Sequence, residues 1–275
     1  MAYWPDVPLA QATWVCVDVE TTGLEVGEGH RVCEVAAAKG GMEGAVQTLS
    51  TLVNPLRPLD PAAARVSGLS EADLADAPPF ADIAGDVDSF LGDAVLVAHN
   101  APFDVGFLES EFARCGLRLP QAPIIDTTVV AQSVLGLPIR NLAGVAQALG
   151  LSALPKHRAL DDARATREVL LHGLRTLVAD GACTVGDVVD ALLPPVPPHL
   201  PLPDDPLAAI RDALMSGADL RIAYRGGSGR SDRVIRPVRL EAKGDPLLLA
   251  AFCRQKVAPR NFRVDRIVSA QVVFA

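Results

Sequence analysis

Two carboxylates, Asp18 and Glu20, stand two residues apart in VCVDVETTGL, residues 15–24. The stretch is rich in valine and reads as a strand, on which side chains i and i+2 share a face. Asp18 and Glu20 then lie side by side, and Val15, Val17 and Val19 take the core face. Adjacent carboxylates repel unless a proton or a cation lies between them. Oxygen-only ligands favour a hard divalent ion, Mg²⁺ or Mn²⁺. Taken alone, the segment is equally a strand end with two solvated acids, and its partners downstream decide.

A second group lies in HNAPFDVGFL, residues 99–108, just after the apolar run Ala94–Ala98. Such a run suits a strand buried on both faces. Asn100 can cap the helix that follows and Pro102 suits its first turn. Asp104 falls in that turn, at the positive end of the helix dipole, and Phe103, Phe107, Leu108 and Phe112 form the buried side. A third group is KHRALDDARATREVLLHGL, with His157, Asp161 and Asp162 on or before a helix over about 158–178. At about 100° per residue, Asp161 points away from the apolar stripe of Leu160, Ala163, Leu170, Leu174 and Leu177. Asp162 lies on its flank, where a helix meets a sheet. Asp162 is therefore assigned to the site and Asp161 to solvent. His157, at the helix start, can swing to the same place.

Asp18, Glu20, Asp104 and Asp162 brought together would be costly unless they hold metal. Two divalent ions about 3.5–4 Å apart clamp the attacking and leaving oxygens of a phosphodiester displacement. A neighbouring histidine has a pKa suited to general-base work at neutral pH.

The elements that must position these residues can be read in turn. After the first strand come strands near Cys33–Lys39 and Val46–Val53, an antiparallel meander. Helical pieces follow at Ala62–Val66, after the Ser70 N-cap, and at Phe80–Leu91, where Phe80, Ile83, Val87, Phe90 and Leu91 share a face. Ala94–Ala98 and Pro123–Asp126 are strands, and helices are expected at 127–135, 141–149 and 184–192. This order specifies an α/β domain with a mixed sheet.

The chain has 275 residues, 49% hydrophobic and 21% charged. It has no apolar run of 18 residues and no secretory leader, so a cytoplasmic protein without a membrane segment is expected. Five scattered cysteines form no C-x-x-C pair and read as buried thiols. Residues from Asp204 onward carry 13 Lys and Arg against 8 Asp and Glu, while residues 1–203 are net −13. An acidic front and a basic tail indicate two modules, the second suited to a phosphate polymer.

Leu193–Pro206 is proline-dense and suits an extended spacer. Asp205 can cap a helix over 207–216, and four or five strands after it suggest a small barrel. Ten arginines lie in the strand region of this module: Arg221, Arg225, Arg230, Arg233, Arg236, Arg239, Arg254, Arg260, Arg263 and Arg266. With Tyr224 and Phe262 among them they suit phosphates and stacked bases.

VDVETTG, HNAPFDVGFL and HRALDDA, in this order, resemble the three motifs of the DEDDh exonucleases, over about residues 12–178. Within that family the likeness is to the epsilon proofreading subunits of bacterial replicative polymerases and their free-standing relatives. The resemblance implies a ribonuclease H-like fold and a 3′→5′ exonuclease releasing nucleoside 5′-monophosphates. It implies that Asp18, Glu20, Asp104 and Asp162 bind two divalent ions, Mg²⁺ or Mn²⁺, with Asp18 shared and His157 as general base. The family's H-x4-D spacing also selects Asp162. Thr21, Thr22 and Gly23 would hold the 3′-terminal nucleotide and Leu24 would pack on its base. His99 and Asn100 would lie along the strand, with Phe103 among the substrate contacts. Ser67 departs from the histidine that relatives often carry there.

The tail resembles a WYL domain, an Sm/SH3-like β-barrel, through IAY (222–224), RPVRLE (236–241), AFCR (251–254) and RNFRVDRI (260–267). The two aromatics of the signature are absent at Leu247-Leu248-Leu249. By motif position, Tyr224, Arg254, Arg260 and Arg266 would line its nucleic-acid or ligand pocket. The expected organisation is an exonuclease domain (1–180), a helix and linker (181–206) and the WYL-like barrel (207–275). The expected partner is nucleic acid with a free 3′ end, single-stranded DNA first, in DNA repair or replication. An RNA-trimming enzyme and a ligand-regulated nucleic-acid-binding protein with gated nuclease activity are the alternatives. Nothing in the sequence supports a polymerase-binding tail.

Overall fold

The structure is a computed structural model and describes residues 4–152, 154–194, 206–227, 229–242 and 246–274. Most of the expected spacer and the Asp205 cap lie outside the described residues.

Strand β1 (Trp14–Thr21) is the centre of the first sheet, with β2 (Val32–Gly40) and β3 (Gln47–Leu52) after it. Three helices follow: α1 (Pro61–Ser67), α2 (Glu71–Leu74) and α3 (Phe80–Leu91). Ser70 and Asp73 form a reciprocal capping box at the start of α2, which satisfies amides that the helix leaves free. Next come β4 (Val95–Ala98), α4 (Ala101–Arg114), β5 (Ile124–Asp126), α5 (Thr127–Val129), α6 (Leu142–Leu149) and α7 (Ala159–Ala179). The sheet order is β3-β2-β1-β4-β5. The β1–β2 and β2–β3 pairs are antiparallel, and the β1–β4 and β4–β5 pairs parallel. This is the expected mixed sheet, with the ribonuclease H-like layout.

The alternation along β1 decides what each layer contains. Val15, Val17 and Val19 pack in one buried cluster with residues of α3 and α4, including Phe80, Val87, Phe107 and Phe112. Trp14 and Cys16 pack on the other side with Leu170, Leu174 and Leu177 of α7. The sheet is thus covered on both faces, and Asp18 and Glu20 project from the end of the α7 face. The helix expected over 127–135 is divided. After α5 the chain widens into a π-turn over Val130–Val134.

Helix α8 (Val185–Leu192), capped by Thr184, leads toward the C-terminal module. That module comprises α9 (Pro206–Ser216) and strands β6 (Asp219–Gly226), β7 (Gly229–Ala242), β8 (Leu247–Cys253), β9 (Ala258–Arg263) and β10 (Ile267–Val273). All four strand pairings are antiparallel, in the order β10-β6-β7-β8-β9. The expected barrel is not closed by strand pairing among the described residues, because β9 and β10 are the two ends of the order. The apolar cluster that holds Trp14 and Leu174 continues without a break into Ile210, Leu220, Ile222 and Ile235. The two modules therefore share one core. None of the described cysteines is paired, and Cys183 is exposed rather than buried. Among the described residues, no helix is long and apolar enough to cross a membrane.

Candidate active site

Asp18 and Glu20 on β1 meet Asp162 on α7, with ligand-capable oxygens all within 4.8 Å of one another. Asp162 is buried, whereas Asp161 sits half-buried at the rim and pairs with Lys156 Nζ at 3.3 Å. Asp162 is thus the aspartate beside Asp18 and Glu20, and Asp161, expected in solvent, is only partly exposed. Asp104 is 3% exposed. Its Oδ1 accepts the Val19 N–H at 3.1 Å, which ties the first turn of α4 to β1.

Burial pushes the Asp18 carboxyl well above the usual carboxylate range, and the charges of Asp104, Asp162, Glu20 and Glu34 add to the shift. Burial does the same to Asp104, against the opposing pull of the hydrogen bond it accepts from the Val19 N–H. Glu20 is raised to about 7, first by burial and then by Asp162 and Glu34. Asp162 is also raised by burial, while the backbone N–H of Lys156, 2.9 Å from Oδ1, pulls the other way. Four acids whose charged forms are disfavoured by burial are a donor set that suits hard divalent ions.

His157 is exposed immediately before α7 and takes a left-handed backbone conformation, φ 56°, which is uncommon for a residue with a side chain. Its position is fixed from the next residue. Arg158 makes a two-pronged pair with Glu34 at 3.1 and 2.9 Å, and Ala159 N donates to the same carboxylate at 3.2 Å. Glu34 faces Glu20 across the β1–β2 ladder and is buried. The sequence reading missed it, although a lone carboxylate inside VCEVAAAKG was a visible signal.

The Thr21–Leu24 turn borders a cleft of about 530 Å³ beside Glu20. Thr21, Gly23, Leu24 and Phe103 line it, and Ala62, Ala63 and Val66 of α1 form the facing wall. Leu24 is 77% exposed there. Thr22 serves the fold instead. Its buried hydroxyl meets His30 Nδ1 at 3.2 Å and accepts the Arg31 N–H at 3.0 Å. The His30 ring lies so close to Gly23 that a Cβ there would stand 2.3 Å from it, so only glycine fits. Ser67 Oγ donates to the Ala63 carbonyl in α1 and accepts from Leu69 N just beyond it, and Ser67 does not line the cleft.

His99 is engaged by Thr127 Oγ1 (2.9 Å) and the Arg140 carbonyl (2.8 Å). Asn100 sits at the start of α4 in the left-handed region, but its side chain makes no cap bond. Asp126, another residue the sequence reading missed, accepts from Asn100 N and Ala101 N instead, each at 3.1 Å.

In the C-terminal module, Tyr224 packs edge-on against Phe262, with ring centroids 5.2 Å apart. Arg260 and Arg266 are exposed. By register, Tyr224 and Arg260 belong to the sheet face of Leu220 and Ile235. Arg254 turns the other way, into ion pairs with Asp219 and Glu109. The structure thus does not gather these four residues into one pocket.

Residues 15–170 match the RNase_T exonuclease family and residues 205–272 match the WYL domain. A DNA polymerase III subunit epsilon-like protein of Rhodobacter capsulatus is 37% identical over 190 residues. The match takes in 67% of this chain but only 27% of the Rhodobacter protein. The DNA polymerase III subunit epsilon of Treponema pallidum is 35% identical over 176 residues, covering 63% of this chain and 80% of that protein. Among solved structures, exonuclease X in complex with 5′ overhanging duplex DNA is similar with a TM-score of 0.50 and 25% identity. That match covers 65% of this chain and 99% of exonuclease X.

Proposed function

The chain belongs to the RNase_T exonuclease family, and from this premise we propose that it removes nucleotides from the 3′ end of DNA, single-stranded DNA first, by hydrolysis. The observation that carries the reading is the meeting of Asp18, Glu20 and Asp162 from two elements, with buried Asp104 bound to the same strand.

Asp18, Glu20, Asp104 and Asp162 would hold two divalent ions, Mg²⁺ or Mn²⁺, and such ions supply charge neutralisation at the scissile phosphate. His157, exposed at the edge of the site, takes a proton from the attacking water onto an imidazole nitrogen. Water adds at phosphorus, the bond to the 3′ oxygen of the penultimate nucleotide breaks, and that oxygen takes up a proton from solvent to leave as the new 3′ hydroxyl. The product is a nucleoside 5′-monophosphate. The cleft of Leu24, Phe103 and α1 receives the terminal nucleotide, whose base packs on apolar side chains. In this reading residues 1–180 form the exonuclease module, 181–206 the connection and 207–275 a WYL-like module that meets nucleic acid through Arg260, Arg266 and Tyr224.

Trimming of a 3′-labelled oligonucleotide with Mg²⁺ or Mn²⁺ tests the proposal, with matched single-stranded DNA, duplex DNA and RNA as substrates. Asp18→Asn is expected to abolish release of monophosphates. Inactivity of the unmodified protein on all three substrates would refute the reading, and faster trimming of RNA would replace DNA as the substrate.

A further inference from the structure

Helix α4 carries the candidate site at one end and faces the C-terminal sheet along its length. Asp104 and Phe103 occupy its first turn. At Gly106 its backbone lies so close to β9 that a Cβ would stand 2.4 Å from Pro259 Cγ. Next comes Glu109, which is 1% exposed. One carboxylate oxygen accepts from Arg236 Nη1 at 3.0 Å and the other pairs with Arg254. Arg236 is equally buried and also donates to the carbonyls of Leu119, Pro120 and Ala122, at 3.0, 2.7 and 3.3 Å. These carbonyls belong to the segment just beyond α4.

The start of the helix is held in the same manner. Asp126 receives the amides that open α4, Asn100 N and Ala101 N, and Arg239 pairs with the same carboxylate. Arg236 and Arg239 both come from β7, three residues apart across its bulge. One strand of the C-terminal sheet thus grips α4 near its start, through Asp126, and near its middle, through Glu109.

Buried ion pairs contribute little net stability compared with apolar side chains of the same volume. They do impose direction, because a guanidinium presents its donors in a fixed plane. The apolar core between the modules supplies adhesion without that direction. We propose that Arg236, Arg239 and Arg254 are positioning residues for the exonuclease reaction: through Glu109 and Asp126 they fix α4, and so fix where Asp104 and Phe103 stand. The C-terminal module is then part of the apparatus that shapes the site, besides any contact it makes with substrate. This rests on the exonuclease reading above. Misplacement of a reacting group by about 1 Å costs up to about a hundredfold in rate, so a loosened α4 has a measurable effect.

The test uses the full chain with Arg239→Met. Asp126 keeps its backbone donors Asn100 N, Ala101 N and Thr128 N, so its carboxylate stays partnered. Hydrogen exchange at the amides of Phe103, Asp104 and Val105 is measured in the metal-free protein, with α7 as the internal reference. Exchange at these amides is expected to quicken about tenfold, as local opening becomes easier, with α7 unchanged. With Mn²⁺ and an oligonucleotide, kcat is expected to fall about tenfold or more, and Arg239→Lys, which keeps the charge but not the planar donor fork, to recover only part of it. A folded Arg239→Met protein with parental exchange and parental kcat would overturn the proposal. Should that variant not fold, Glu109→Gln, which keeps its shape and an acceptor, decides by the same two readouts. Failure of the exonuclease reading shows separately, as absence of trimming by the parent protein, and the exchange result then decides alone.

Discussion

Glu34 never reaches the substrate cleft, yet it fixes the entry to α7 that carries His157 and Asp162. Glu34→Ala releases the half-exposed Arg158 to water and leaves Ala159 N without its acceptor. A stability loss of about 1–3 kcal/mol is expected from the lost charged hydrogen bonds, measured by denaturant unfolding. Trimming should fall as the His157 backbone leaves its left-handed conformation. The four acids also predict a pH effect in metal-free protein. Glu20 moves from an ordinary value of 4.5 to about 7 on folding, so the folded state binds protons more tightly than the unfolded one. Stability is therefore fully present below about 4.5 and declines as pH rises through about 7. Mn²⁺ should reverse the decline, because it binds the deprotonated folded form. Thermal midpoints at pH 5 and pH 8, with EDTA and with Mn²⁺, test this. A metal-free midpoint that rises between these values would contradict it.

Strand β1 and helix α7 were legible because each is written in one short periodicity. Alternation put Asp18 and Glu20 on one face, and the helical stripe separated Asp162 from Asp161. The π-turn after α5 was not legible, since Thr127–Leu135 carries a continuous helical pattern and the widening has no side-chain signature. Glu109 and Asp126 were hidden for another reason. Their partners Arg236, Arg254 and Arg239 lie more than 100 residues away, and short-range pattern cannot pair them. Two elements give separate tests. Leu24→Ala, at an exposed position on the cleft, should leave stability within about 0.5 kcal/mol and raise KM for the oligonucleotide severalfold. Gly106→Val places a branched side chain where Pro259 stands and should cost about 1–3 kcal/mol through overpacking, read by denaturant unfolding.

The molecule divides by charge but not by core. The acidic front and basic tail suggested two separable bodies, one of them a free cationic surface. Part of that positive charge is turned inward, because Arg236, Arg239 and Arg254 meet acids of the first module. Arg221, Arg225, Arg230, Arg260 and Arg266 remain exposed. Since one apolar cluster runs from Trp14 to Ile267, calorimetry should show a single cooperative transition for the full chain. Two well-separated transitions would contradict the shared core. A fragment ending at Pro194 would expose the apolar residues that α9 and β6 now cover and leave Glu109 buried beside no cation. It is expected to aggregate rather than behave as a minimal nuclease.

The continuous core also bears on how the protein is made. Translation proceeds at about 5–20 residues per second, so the first module waits several seconds for β7, and longer for β10. During that interval its apolar seam and Glu109, still without Arg236 and Arg254, are open to other chains. A growing polypeptide built this way keeps that seam uncovered until its last strands have emerged, and the faster they dock the shorter the exposure.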